Sequence, residues 1–343
     1  MSQRALLVGM NYYRTQNQLQ GCINDCHRVA DVLRTVYKFP SGNMSFMTDD
    51  QPPANSTFPI KENIIRELQT LVQSTKPGDV SVFHYSGHGM LDNSASSTNI
   101  NNPGVDDALI PVDVLTKGYY DSSREIKDDE LWGIVNQIPA GAILFVIIDA
   151  CHSGSELDLP YNLHIDPSQK NRYTVEKVER RPETQGTIIM ISGCKDNQTS
   201  LDTVDNNRRP AGALSYALCD YIVHHANDTI NFVDFLTAIR QTIINTNPGV
   251  PDIQEPQLDF GRLCDCGLNF TLLPNGMATQ LSALDINNAK DILHKIYHKE
   301  IPTQEEMKLI ANATASNKVN KTRSKGPFIF NIIRDNRGTK NIY

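Results

Sequence analysis

Hydrophobic positions along the chain fall into two patterns, short continuously apolar runs and longer amphipathic stretches. Ala5–Met10 (ALLVGM), Asp79–Tyr85, Ile143–Ile148 (ILFVII), Thr187–Ile191 (TIIMI) and Leu268–Leu273 are strand-like runs. Runs of this length without polar alternation mark strands covered on both faces. Apolar residues at helical spacing predict helices over Ile23–Tyr37, Ile60–Val72, Asp128–Val135, Leu214–His224 and Phe232–Ile244. Strands alternating with helices predict an α/β fold: a largely parallel central sheet with helices on both faces. Asp92–Gly104, rich in Asn and Ser, reads as a loop. Ser155–Gln185 is charged and has no clear period, so it reads as a long surface loop or linker. After Pro274 the texture changes. Two weak helices, Asp285–His298 and Glu305–Ala311, precede a basic stretch, Lys318–Lys325, and the apolar Phe328–Ile333. The expected organisation is one domain over residues 1–273, interrupted by a linker at 155–186, and a C-terminal extension over 274–343.

Composition narrows the class. With 39% hydrophobic and 21% charged residues among 343, the chain can bury a full core and is neither fibrous nor wholly disordered. No stretch approaches the roughly 18 consecutive apolar residues of a membrane-spanning helix. The apolar run near the start is too short for a signal-peptide core, so a cytoplasmic location is expected. A net charge of −7 argues against a general nucleic-acid binder, although the last 26 residues carry +6 and the rest −13. Seven cysteines, an odd number without a secretion signal, are expected to be reduced thiols.

Two glycine-flanked turns follow two of the best strands. One is HYSGHG, with His84, Ser86, Gly87, His88 and Gly89; the other is DACHSG, with Asp149, Cys151, His152, Ser153 and Gly154. In an open parallel sheet, ligands bind beyond the carboxyl ends of the strands. If the two strands are neighbours, His88 and Cys151 can meet. A thiol needs a nearby imidazole to raise its thiolate fraction near neutral pH. The backbone N–H groups of Cys151 and Gly89 could hold the oxyanion of an acyl intermediate. His84 and His152 are rivals for the base, but His84 lies inside the strand and His152 is adjacent to the thiol. A zinc site from His84, His88, Cys151 and His152 lacks the usual ligand spacing, and no GxGxxG follows a strand to mark a dinucleotide site.

These two blocks, 63 residues apart, closely resemble the catalytic blocks of metacaspases. ALLVGMNYY, LQGCINDC, VDDALIPVD, ISGCKDNQTS and GALSYAL look like further blocks of that family, so the resemblance covers roughly residues 4–273. It implies a caspase-like fold and a cysteine endopeptidase cutting after Arg or Lys, with protein or peptide substrates. From charge and composition no nucleic-acid or membrane partner is expected; a monomer is expected, although true caspases dimerise through a sheet edge and the sequence does not read that out. The resemblance implies that Asp25 and Asp149 line the pocket for the basic side chain, with Cys22 and Ser86 beside them. Two carboxylates suit that task, and neither catalytic block carries the Arg that an Asp-specific enzyme would need. The plainer readings are a helix-start acid for Asp25 and a turn residue for Asp149.

Calcium dependence also follows from the resemblance. Asp92, Asp106, Asp107 and Asp158 match the family's acidic positions and would supply hard oxygen ligands. No EF-hand spacing is present, and a solvated acidic loop is the alternative. In the linker, Lys170, Arg172, Lys177, Arg180 and Arg181 are candidate self-cleavage sites for a zymogen. In the C-terminal extension, Lys318, Lys321, Arg323 and Lys325 are candidates for a pseudosubstrate, against a solvated tail. Many relatives with a short linker carry a Pro- or Gln-rich N-terminal region; this sequence begins almost at the first strand, and regulation by such a prodomain is not expected. Cys194 reads as a structural or substrate-loop thiol, with a second reactive thiol as the alternative, and Cys264 and Cys266 as packing residues. Tyr12 and Tyr13 read as core or rim aromatics, the alternative being a loop wall near the pocket formed with Gly21. No third residue orienting His88 is evident, so a dyad is expected. A peptide ligase using the same acyl-enzyme and a scaffold with a vestigial site remain as alternatives.

Overall fold

A computed structural model of the chain describes residues 1–92, 106–116, 119–150, 157–165, 173–177, 181–193, 202–204, 210–226, 230–250, 253–263, 269–270, 332–334 and 340–342. Three strands open the main sheet: β1 (Gln3–Gly9), β2 (Met44–Thr48) and β3 (Val80–Ser86). Its strand order is 332–334, 340–342, 173–177, 161–165, 257–260, 187–192, 143–149, β3, β1, β2. The five strands from Thr187–Ser192 to β2 are parallel, and Gln257–Phe260, Tyr161–Ile165 and Tyr173–Lys177 follow antiparallel.

Alternation sorts each buried strand between two cores. Ala5, Leu7, Val80, Val82, Phe145, Ile147, Ile189 and Ile191 face one core. Leu6, Val8, Phe83, Tyr85, Leu144, Val146, Ile148, Ile188 and Met190 face the other. Helices α1 (Cys22–Thr35), α4 (Ala213–His224) and α5 (Phe232–Thr246) cover the first core. Helices α2 (Lys61–Ser74) and α3 (Asp128–Val135) cover the second. The helices α1 and α4 pack against each other. Their approach requires glycine at position 21, where a Cβ would lie 2.8 Å from the Ala211 backbone. Beyond β3, β4 (Gly89–Asp92) pairs antiparallel with β5 (Asp106–Leu109).

Several expectations need correction. Within 155–186, read as loop throughout, Tyr161–Ile165 and Tyr173–Lys177 form a hairpin joined to the sheet. Their period-2 apolar positions, Tyr161, Leu163 and Val175, are buried, and the charges between them face out. The last strand of the parallel-to-antiparallel transition is Gln257–Phe260, whose polar Gln257 and Asp259 hid it. Asp259 is buried because Asn162 donates to it from the neighbouring strand, 2.5 Å away. Of Leu268–Leu273, only Asn269–Phe270 is a described strand, and it pairs with Ile230–Asn231 outside the main sheet. Strand β2 was also unpredicted. The two weak helices of the extension and its basic stretch lie outside the described residues.

His84 of β3 is fully buried towards α1 and α4, between Cys26 Sγ (3.6 Å) and Ser215 Oγ (3.2 Å). Burial pushes its pKa down to about 3. The folded state therefore refuses a proton that the unfolded chain accepts below pH about 6.5. Stability is full above that pH and falls progressively as pH drops towards 3. Urea unfolding at pH 4.5 should show about 2–3 kcal/mol less stability than at pH 7 from this residue, and His84→Gln should flatten that part of the slope.

Candidate active site

The strands carrying the two glycine turns are adjacent, parallel and in register. Ser86, the last residue of β3, pairs with Asp149, the last of Ile143–Asp149. The Gly87 N–H then donates to the Asp149 carbonyl at 3.3 Å. His88 stands two residues past Ser86 and Cys151 two residues past Asp149, so both turns leave the same end of neighbouring strands. Cys151 and residues 152–156 lie outside the described residues.

The imidazole of His88 is half-buried and held from several sides. Its Nε2 lies 2.7 Å from the Asn17 carbonyl oxygen. A carbonyl only accepts, so Nε2 carries the proton and Nδ1 is left as the basic nitrogen of the neutral ring. The ring lies against Tyr12 with centroids 4.5 Å apart. The His88 N–H donates to Tyr12 Oη at 2.8 Å, and Tyr12 Oη donates to the Ile110 carbonyl at 2.6 Å. A backbone carbonyl thus supplies the orienting partner that the sequence did not reveal. Next along the chain, the Ile110 N–H donates to the His88 carbonyl at 3.1 Å. Gly89 and Leu109 are therefore a non-hydrogen-bonded pair of the β4–β5 ladder, and the Gly89 N–H points away from β5.

On the α1/α4 side an acidic pocket is assembled from four elements. Asp25 sits in the first turn of α1, fully buried. Its Oδ2 accepts from Ser86 Oγ and from the Gly212 N–H, both at 2.9 Å, and its Oδ1 pairs with Arg28 at 2.9 Å. Asp149 is also buried, and its Oδ2 accepts from the Ser215 N–H at 2.7 Å, at the start of α4. Both carboxylates converge on Gly212: a Cβ there would lie 2.3 Å from Asp149 Oδ2 and 2.8 Å from Asp25 Oδ2. Burial, and then the neighbouring Asp149 charge, push the Asp25 carboxyl well above the ordinary carboxylate range, against the opposing pull of Arg28, Gly212 and Ser86. Cys22 is buried at the start of α1, its N–H donating to Asn11 Oδ1 at 3.1 Å.

Asp92 and Asp106 pair across β4 and β5, and Asp107 is buried beside them. Asp158 is buried with its Oδ2 3.6 Å from Arg181, whose guanidinium also meets Asp129 at 2.6 Å and Asp128 at 3.6 Å. Among the described residues, no three His, Cys, Asp or Glu are grouped to hold a metal ion. Of the linker's candidate cleavage residues, Lys177 lies exposed on a strand and Arg181 is engaged in this ion-pair cluster. Lys170, Arg172 and Arg180 lie outside the described residues, as does Cys194.

The family described as metacaspase, peptidase C14 domain, matches residues 3–160. Metacaspase-1 of Meyerozyma guilliermondii is 34% identical over 78% of this chain and 72% of its own length. The chain belongs to the metacaspase family. Metacaspase-3 of Trypanosoma cruzi is 32% identical over 79% of this chain and 74% of its own. Metacaspase-2 of Arabidopsis thaliana is 35% identical over 75% of this chain and 61% of its own. A solved protein from Geobacter sulfurreducens shares the fold, with a TM-score of 0.54, 20% identity, and coverage of 80% of this chain and 99% of that one. This metacaspase is accordingly a cysteine-type peptidase with a caspase-like α/β fold. No helix among its described residues is long and apolar enough to cross a membrane.

Four residues around the metacaspase site escaped the sequence reading: Tyr12 as a support for His88, Asn17, Arg28 and Gly212. Asn17 acts through its backbone, which no side-chain pattern reveals. Arg28 follows Asp25 at i,i+3 on α1, a spacing at which opposite charges meet. Both charges are almost wholly enclosed, and the guanidinium also lies 5.8 Å from the Tyr216 ring centroid. Removing one partner of such a buried pair leaves a charge stranded. Gly212 sits inside the GALSYAL block but carries no chemistry of its own.

Proposed function

We propose that this metacaspase is an endopeptidase that cuts after Arg or Lys through Cys151 and His88. The observation that carries the specificity is the convergence of the Asp25 and Asp149 carboxylates on the Cα of Gly212. Two enclosed carboxylates held by N–H and O–H donors suit a guanidinium or ammonium group and repel an acidic one. In the reaction, His88 Nδ1 takes the Cys151 thiol proton and the thiolate attacks the scissile carbonyl. The Gly89 N–H, turned away from β5, and that of Cys151 receive the oxyanion. His88 then protonates the leaving amine as the C–N bond breaks. Water, deprotonated by His88, attacks the thioester and releases the acid and the thiol. The Asn17 carbonyl keeps the imidazole in the tautomer this sequence requires.

Calcium stimulation and self-processing in the linker belong to the same proposal. Asp92, Asp106, Asp107 and Asp158 would hold the cation, with Asp158 exchanging its Arg181 partner. The test is one panel: peptide reporters ending in Arg, Lys or Asp, with and without calcium, on wild type and Cys151→Ala. Arg and Lys reporters should exceed Asp by at least 100-fold, with a further gain in calcium. Two fragments should appear in wild type alone. Equal turnover of the Asp reporter would reject the pocket assignment.

A further inference from the structure

A second depression opens on the opposite face of the sheet from the acidic pocket, and His88 stands between them. It is a cavity of about 540 Å³ whose lining includes His88 and Gly89. Its walls include Tyr12, Phe58, Ile60, Met90, Val112 and Tyr120. Nothing in the reaction described so far uses it. Its position, lining and surface exposure together indicate what enters it.

Position comes first. The nitrogen that leaves on acylation must come within hydrogen-bond reach of the His88 imidazole to collect its proton. The acyl half is anchored by its basic side chain on the α1/α4 side. The chain that begins at the leaving nitrogen therefore departs over His88, which lines the cavity. Lining comes second. The two carboxylates on its rim are already committed: Asp49 accepts from the Asn11 and Tyr13 N–H groups at 2.8 and 3.3 Å, and Asp113 accepts from the Lys61 N–H at 3.0 Å and meets Arg124 at 3.4 Å. The remaining surface is largely hydrocarbon and aromatic. Exposure comes third. Tyr13, Met90 and Tyr120 are exposed by 44%, 37% and 48%, an apolar patch gathered at the mouth of one cavity.

We infer that this cavity receives the first residues following the scissile bond and selects a large apolar or aromatic side chain there. The inference rests on the proposed cleavage reaction and adds the leaving-side preference to it. Burying one such side chain is expected to raise kcat/KM by about 10- to 100-fold over glycine.

The test uses internally quenched peptides identical through an Arg at the cleavage position and differing only in the next two residues. Phe- or Leu-containing peptides should exceed Gly- and Asp-containing ones by at least tenfold in kcat/KM. Met90→Lys and Tyr120→Phe change exposed side chains, Met90→Lys placing a charge in the cavity and Tyr120→Phe keeping the ring as a control; Met90→Lys should bring the Phe-to-Gly ratio close to one and Tyr120→Phe should leave it high. A flat profile in wild type, or a ratio unchanged in Met90→Lys, overturns the inference while leaving the cleavage reaction intact. Cleavage after a different residue overturns the acidic-pocket reading instead, and the same series built after that residue then tests the cavity. Direct binding of the leaving fragments, Phe-Gly-amide against Gly-Gly-amide, by saturation-transfer NMR gives a readout free of turnover. Preference for the Phe fragment supports the inference and equal binding overturns it. Dimerisation in light scattering that Met90→Lys abolishes would assign the face to a second copy and overturn it as well.

Discussion

His88→Ala is expected to lower kcat for Arg and Lys peptides by about 10²- to 10⁴-fold, the usual contribution of a positioned general acid–base, while leaving KM nearly unchanged. In the proposed reaction the imidazole does two jobs: it accepts the thiol proton and delivers it to the leaving amine. Its Nε2 is committed to the Asn17 carbonyl, so only Nδ1 is in the right form to act as base. The side chain is half-buried and makes its hydrogen bond to a loop carbonyl, so the substitution should move the unfolding midpoint little. Rapid-quench measurement of acylation should show the first step slowed, because the thiol is then ionised only by bulk solvent. A loss smaller than tenfold would take His88 out of the proton path and transfer the role to His152, the rival beside the thiol.

The parallel heart of the fold was legible because fully buried strands have nothing polar to confuse the pattern. Ile143–Asp149 and β3 announce themselves as apolar runs, and their glycine turns locate the site. Legibility failed where burial depends on a partner. Gln257–Phe260 contains a buried Asp259 whose hydrogen bond comes from Asn162, almost a hundred residues away in sequence. Strand β2 begins with a half-buried Met44 and an exposed Ser45, giving too little contrast for a short run. In the candidate site, the sequence pointed to side chains that bear functional groups and passed over the residues that position them. Asp25, Ser86, Asp149 and His88 stand out by chemistry. The Asn17 carbonyl and the bare Cα of Gly212 act through backbone geometry, which only the folded chain displays. Arg28 was readable in principle from its i,i+3 spacing, but its burial was not. Carboxylate spacing likewise does not foretell that Asp158 faces Arg181.

Gly212→Ala should be the most damaging substitution in the acidic pocket, exceeding the loss of either carboxylate. The backbone at Gly212 has φ −70° and ψ 137°, a conformation alanine adopts freely, so the change costs nothing locally and would by itself stabilise by a few tenths to about 1 kcal/mol through the unfolded chain. Its cost lies entirely in the pocket. The new methyl would lie 2.3 Å from Asp149 Oδ2 and 2.8 Å from Asp25 Oδ2, distances no carbon–oxygen contact sustains. Both carboxylates must swing away, breaking the bonds from the Ser215 and Gly212 N–H groups and filling the space proposed for a basic side chain. Losing two charge-assisted contacts at about 1.5–3 kcal/mol each predicts a fall in kcat/KM of about 10²- to 10⁴-fold for Arg and Lys peptides. Asp149→Asn, which keeps the shape and removes the charge, should cost about 10- to 100-fold by the same arithmetic, chiefly in KM. The pH dependence separates charge from shape. Because burial and the Asp149 charge raise the Asp25 pKa, the empty pocket takes up a proton more readily than an ordinary carboxylate, and a bound guanidinium opposes that uptake. KM for an Arg peptide should therefore fall as pH rises towards that pKa, and Asp25→Asn should flatten the slope while Gly212→Ala leaves little binding to titrate. Wild-type cleavage of Arg peptides surviving in Gly212→Ala would mean that the basic side chain is held somewhere other than between these two carboxylates.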